Sequence, residues 1–143
     1  MHAERKLCTF VIGGLHLGVD VEDVAEVLRQ QPTTPVPLAP DEVAGLINLR
    51  GEIVTALDLR RRLGLEASGP SPRMNVVLKA GDGAVSLLVD QIGDVVMVSD
   101  DDFEPPPETV TGSTRELILG TFKLDGRLLL LLDTERFLAR SAP

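Results

Sequence analysis

One pattern occurs twice in this chain, and the repeat limits what it can fold into. Residues 45–63, opening Gly45-Leu46-Ile47-Asn48-Leu49-Arg50-Gly51, read as strand, tight turn, strand and short helix. Ile47, Leu49, Ile53 and Leu57 supply the β-branched or bulky apolar side chains that strands favour. Arg50-Gly51 separates the strands, and glycine in second place suits a two-residue hairpin turn that needs positive φ. Asp58 closes the second strand and is placed to cap the helix after it. Residues 124–139 copy this order. Leu124-Asp125-Gly126-Arg127 is the turn, 128–132 an apolar run, Asp133 the closing residue and 134–139 a short helix. With Leu49 set on Leu124, Gly51 falls on Gly126, Asp58 on Asp133 and Leu63 on Leu138. A supersecondary unit used twice points to two related halves.

The segments before each unit also match. Residues 7–12 and 15–19 read as a hairpin about Gly13-Gly14, 20–25 as one helical turn and 27–30 as a strand. Residues 75–79 and 84–89 form the corresponding hairpin about Gly81-Asp82-Gly83, followed by a turn at 90–93 and a strand at 94–98. Asp20 and Asp90 occupy matching places. Pro32, Pro35, Pro37 and Pro40 mark an irregular connection. Residues 41–44 read as a helical turn ended by Gly45, 66–72 as a linker, 99–108 as a polar extended loop and 117–124 as a strand. Each half then holds about five short strands, the signature of a small barrel. A half of ~65 residues is marginal alone, so a shared apolar seam is expected.

Composition narrows the function. The 143 residues are 43% apolar but only 3% aromatic, so the core must be aliphatic. A net charge of −8 argues against nucleic-acid partners and anionic membrane surfaces. No apolar run approaches the ~20 residues needed to cross a bilayer, and the N-terminus lacks a signal-peptide pattern. A single cysteine excludes an internal disulfide. Together these place the chain in the cytoplasm.

No catalytic constellation stands out. His2 lies in a terminus that frays, and His16 reads as a solvent-facing strand residue. Cys8 sits in an apolar strand as an inert thiol. Asp100-Asp101-Asp102 lacks the spaced ligands of a calcium loop. No metal-ligand or nucleophile motif occurs, so the residues give an enzyme reading little support. The chain should work by its surfaces. Arg50, at a hairpin tip, can fork onto a carboxylate or carbonyls of a partner. Arg60-Arg61-Arg62 reads as the solvated face of a short helix. Gly45 and Arg50 have no counterpart in the second copy, which carries Asp125 in place of Arg50, and that difference is where function is expected.

These residues carry a resemblance. Gly45-Leu46-Ile47-Asn48-Leu49-Arg50-Gly51, continuing to Leu57-Asp58-Leu59-Arg60, resembles the signature of the CheW family of chemotaxis coupling proteins. The stretches from Val19 to Leu28 and from Val89 to Val95 are similar to its two half-motifs, and the likeness spans residues 7–138. It implies a mostly β fold of two SH3-like five-stranded barrels sharing a core, with a few short helices. The chain 1–143 would be one such domain, with halves at 7–65 and 73–140 and strand exchange allowed between them. The resemblance further implies no catalysis and no cofactor. The role would be to bridge the cytoplasmic signalling tip of chemoreceptors (methyl-accepting chemotaxis proteins) to the regulatory domain of a CheA-type histidine kinase. Neither nucleic acid nor direct membrane insertion is implied.

Receptor or kinase contact maps, by local motif, to Val24, Glu26, Gly45, Arg50 and Val95. Gly45 would let a partner helix approach closely, and Val24 and Val95, in equivalent places, would line the seam. Thr55 and Leu17 depart from the family's usual proline and aromatic. Two other readings remain open. One is the same scaffold in a gliding, pilus or other chemosensory-like pathway, or cut from a larger kinase or receiver fusion, though no receiver or ATP-binding domain lies in these residues. The other is a small β-barrel ligand-binding domain or enzyme.

Overall fold

The computed structural model describes residues 4–65 and 74–141, the last three by backbone alone. The linker expected at 66–72 and His2 lie outside the described residues. Ten strands form: β1 (Glu4–Ile12), β2 (Leu15–Asp20), β3 (Val24–Arg29), β4 (Val43–Leu49), β5 (Glu52–Asp58), β6 (Met74–Ala80), β7 (Gly83–Val89), β8 (Gln91–Ser99), β9 (Ile118–Leu124) and β10 (Arg127–Leu132). Three short helices accompany them, α1 (Leu59–Arg62), α2 (Gly112–Glu116) and α3 (Thr134–Ser141). The fold is mostly β, in two five-stranded sheets. Sheet 1 runs β8-β1-β2-β10-β9 and sheet 2 runs β3-β6-β7-β5-β4. Each takes strands from both halves of the sequence, joined by parallel pairs β10–β2 and β5–β7.

Three apolar clusters result. The largest lies between the sheets and draws Phe10 and Leu17 from sheet 1, Leu57 and Leu78 from sheet 2, and Leu63 and Phe137 from the helix region. A second belongs to sheet 1 alone, with Leu7, Val98, Phe122, Leu129 and Leu131. A third belongs to sheet 2 alone, with Ile47, Val54, Ala56 and Leu88. Strand alternation sends successive side chains to opposite faces. Leu130 and Leu132 of β10 therefore enter the seam, while Leu129 and Leu131 fill sheet 1. Burial on both faces explains why this strand shows no polar alternation. Leu17, in place of the expected aromatic, is fully buried.

Several local readings change. Residues 41–44 are not a helical turn. Val43 N–H donates to the Pro40 carbonyl at 2.9 Å and β4 starts at Val43, with a register shift between Val43 and Gly45. The segment from Gln91 is already strand, paired back to Val11 across an irregularity in β1–β8. A 3₁₀ turn at Asp100–Asp102 interrupts what reads as extended loop at 99–108, and the helix α2 forms between that loop and β9, where the sequence suggested no element. Arg60 is not on a solvated face but buried. One Nη2 lies 3.0 and 2.9 Å from the two carboxylate oxygens of Asp90, and Asp90 Oδ2 also accepts Gly13 N–H at 2.9 Å. This pair ties α1 to the crossing from sheet 2 into sheet 1. Arg62 lies over the Phe137 ring, 5.4 Å from its centroid.

Candidate functional site

The β4–β5 hairpin builds the most distinctive surface feature. Leu49 pairs with Glu52, and Arg50 and Gly51 both take positive φ, 52° and 88°. That is the two-residue turn whose twist matches the strands. A left-handed arginine costs about 1 kcal/mol, so something must hold it. Asn48 Oδ1 accepts Gly51 N–H at 2.9 Å, and Arg50 Nη2 donates to Glu26 Oε1 at 2.6 Å. Glu26 reaches the turn from β3, the edge of sheet 2 opposite β4, where it pairs with Val77, so the sheet curves enough to bring its two edges together at this point. The two side chains share a groove of about 310 Å³ with Leu49, Glu52 and Val54. Arg50 remains largely exposed, so its remaining N–H groups face outward.

Gly45 is placed differently from the expectation. It is buried, with φ 153°, and a Cβ there would collide with the carbonyl oxygen of Thr34 and sit 2.8 Å from Thr33 Cγ2. The chain's own strap makes the close approach. Thr34 pairs with Leu46 by two backbone hydrogen bonds of 2.8 Å, covering the outer edge of β4. Gly45 also has a counterpart: Gly120, by the same offset that sets Leu49 on Leu124. A Cβ on Gly120 would meet Phe103 and lie 2.5 Å from the Glu104 carbonyl oxygen. Glu104 pairs with Thr121 at 2.9 and 2.7 Å and covers β9. The two covered edges leave β3 and β8 as the uncovered ones among the described residues.

Val24 and Val95 stand on those two edges. Val24 pairs with Leu78 and Val95 with Cys8, and both partners belong to the cluster between the sheets. Directly paired residues share a face, so both valines look toward the seam. Val24 is half-buried against the core, whereas Val95 is 61% exposed. They are not equivalent in sequence: with Asp20 on Asp90, Val24 falls on Asp94 and Ala25 on Val95. The sequence reading missed Met97, 54% exposed on the same face of β8, and the exposed Val27 of β3. The signal was present, as apolar residues at i and i+2 in strands that turn out to be edges. The structure thus joins Glu26 to Arg50, and sets Val24 and Val95 on the seam face of separate sheets.

Burial pushes the Cys8 thiol upward and leaves it inert. Burial, and then the charge of Arg127, pull the His16 imidazole below its ordinary value. Among the described residues no helix is long and apolar enough to cross a membrane.

The model of the CheW-like domain family matches residues 6–142. The chain belongs to this family. Chemotaxis protein CheW of Rhizobium meliloti (strain 1021) is 34% identical over 132 residues, 92% of this chain and 85% of that protein. Protein FrzA of Myxococcus xanthus is 35% identical over 106 residues, 73% of this chain and 66% of that one. The crystal structure of the scaffolding protein TtCheW from Thermoanaerobacter tengcongensis matches with a TM-score of 0.80 at 29% identity, covering 91% of this chain and 89% of that chain. The shared architecture of CheW-like chains is therefore the frame for Arg50, Glu26 and the uncovered edges.

Proposed function

We propose that this chain is a non-catalytic adaptor that couples chemoreceptors to a CheA-type histidine kinase in the cytoplasm. The observation that carries the reading is the family match over nearly the whole chain, together with relatives named as chemotaxis and scaffolding proteins. In this reading Val24 and Val95 flank the receptor's helical hairpin at the seam, and Arg50, held by Glu26, forks onto its tip. Supporting it are the two uncovered edges β3 and β8, which present the apolar Val24, Val95 and Met97, exposed or half-buried, on the seam side. Gly45 acts in this proposal by shaping β4 from within rather than by touching a partner. The kinase's regulatory domain would dock on the sheet ends. Each sheet is further proposed to be rolled as an SH3-like barrel, for which the separate clusters inside sheet 1 and sheet 2 speak.

A second setting for the same role is a motility or other chemosensory-like pathway, because the family match specifies the scaffold and not the output it serves. Co-sedimentation with receptor-bearing membranes, with and without the kinase, tests the reading. Retention that rises when the kinase is added is expected. Absence of retention by either partner sinks it.

A further inference from the structure

The two sheets open at matching mouths, and the charges in them differ. In sheet 2 the mouth holds Arg50, Glu52, Glu26 and Ala84. Leu49 on Leu124 puts Arg50 on Asp125 and Glu52 on Arg127. Asp20 on Asp90 puts Glu26 on Val96. The two hairpin turns, Ile12 to Leu15 and Ala80 to Gly83, put Ala84 on His16. All four counterparts line one cavity of about 460 Å³ at the mouth of sheet 1.

In sheet 2 the guanidinium is answered from within the chain, by Glu26 at 2.6 Å. In sheet 1 the carboxylate's place is taken by Val96, and Arg127 makes no hydrogen bond or ion pair among the described residues. Beside it His16 carries a buried Nδ1 with no hydrogen-bond partner among the described residues. A buried polar atom without a partner costs on the order of 1–3 kcal/mol, and because Nδ1 is closed to solvent, a ligand that answers it must turn the imidazole edge toward the cavity. Other polar groups there are engaged or balanced. The Thr9 hydroxyl donates to the Asp94 carbonyl at 2.5 Å, and Lys123 leans outward to Glu104 at 3.8 Å. Asp94 and Asp125 offset the formal charges of Lys123 and Arg127, so an anion is held here by the directed guanidinium N–H groups of Arg127 and not by net charge, which disfavours a phosphate dianion. Ile92, Val96 and Leu124 add an apolar wall.

We propose that the mouth of sheet 1 binds a carboxylate on a short aliphatic stem, as in a glutamate side chain or a short-chain carboxylic acid. Arg127 takes the carboxylate, the His16 ring turns to donate Nδ1–H to it, and the stem lies on Val96 and Leu124. The site is independent of the receptor reading, which uses Arg50 at the mouth of sheet 2 and the seam-facing Val24 and Val95.

The test is a titration of the full chain, followed by the His16 imidazole and Gly93 amide resonances. Three probes are used: acetyl-Ala-Glu-Ala-amide, the same peptide with glutamine, and butyrate. Saturable shifts with the glutamate peptide and none with the glutamine peptide are expected, at roughly millimolar Kd. Butyrate reproducing the shift supports a free acid as ligand, and butyrate failing supports a protein side chain. His16 should titrate at higher pH in the saturated complex, because the bound charge favours imidazolium against Arg127 and Lys123, beyond what Asp94 and Asp125 already supply. Arg127→Gln should weaken binding about tenfold, whereas Arg29→Gln on sheet 2 should leave it unchanged. Equal shifts by both peptides, no saturation, or undiminished binding to Arg127→Gln overturns the proposal.

Discussion

In the first unit, Gly45 passes beneath the Thr34 carbonyl, Leu46 pairs with Thr34, and Asp58 N–H donates to the Glu42 carbonyl at 2.7 Å. In the second, Gly120 passes beneath the Glu104 carbonyl, Thr121 pairs with Glu104, and Asp133 N–H donates to the Leu117 carbonyl at 2.8 Å. Asp58 then caps α1 through Arg61 N–H at 3.3 Å, and Asp133 caps α3 through Arg136 N–H at 3.0 Å. Leu46 and Thr121, Glu42 and Leu117, and the two aspartates all keep the same spacing. What the units share is backbone, and it serves to cover a strand edge that would otherwise pair with other chains. What they do not share is charge: Arg50 stands against Asp125, and the buried Arg60 against the exposed Glu135. Fold is thus carried by the common part and is insensitive to which copy supplies it.

The largest effect should come from breaking the common part. Gly45→Ala forces a Cβ against backbone at φ 153°, which cannot move aside as a side-chain end can. A loss of about 3 kcal/mol in urea unfolding is expected. Gly120→Ala should cost about 2 kcal/mol, because part of its clash is with the Phe103 ring. If Gly45→Ala unfolds at the wild-type midpoint and only receptor retention falls, Gly45 belongs to a contact surface and the equivalence with Gly120 misleads.

Next in size is the charge difference inside the fold. Arg60→Met leaves Asp90 three-quarters buried without its cation, and about 2 kcal/mol of stability should be lost. Glu135→Ala, at the same place in the second unit, should change stability by less than about 0.5 kcal/mol. Equal losses in the two would mean that the helix position, and not the ion pair, sets the stability.

Arg50→Ala removes an exposed ion pair and should leave the unfolding midpoint within about 0.5 kcal/mol of wild type. Retention by receptor-bearing membranes should nevertheless fall about tenfold. Asp125→Ala at the matching tip should leave retention unchanged. A tenfold loss in both would show that either tip can serve.

The strands and hairpins were legible because glycine turns and apolar alternation are local signals. The Asp58 and Asp133 caps were legible for the same reason. What failed depended on distant partners. Nothing near Gly45 in sequence announces that Thr34 crosses over it, and so the glycine read as unique and outward-looking. Three consecutive arginines look solvated until Asp90 is folded beside the first. Residues 41–44 carry helix-compatible residues, yet pairing of Val43 with Leu57 overrides that local preference. Of the candidate contacts, the Arg50 turn was visible in Arg50-Gly51. Its partnership with Glu26 required sheet order, which pairs β3 with β6 from the other half of the chain.

The smallest effect concerns His16 against Ala84, the difference between the two mouths. Burial and then Arg127 lower the folded-state pKa of His16. The unfolded chain, with a histidine pKa near ~6.5, therefore binds more protons as pH falls through that value. Stability from the neutral imidazole is present above about pH 6.5 and is lost below it, until the folded state also protonates. The urea midpoint should accordingly drop between about pH 7.5 and about pH 5.5 in the wild type. In His16→Ala, which gives sheet 1 the residue that sheet 2 already has, this part of the slope should vanish. Carboxylates titrate lower and remain in both proteins, so the difference between the two curves isolates the imidazole. An identical slope in the variant would mean that the His16 environment does not penalise its charge. The unanswered Nδ1 would then be solvated rather than waiting for a ligand, and the two mouths would differ in sequence but not in electrostatics.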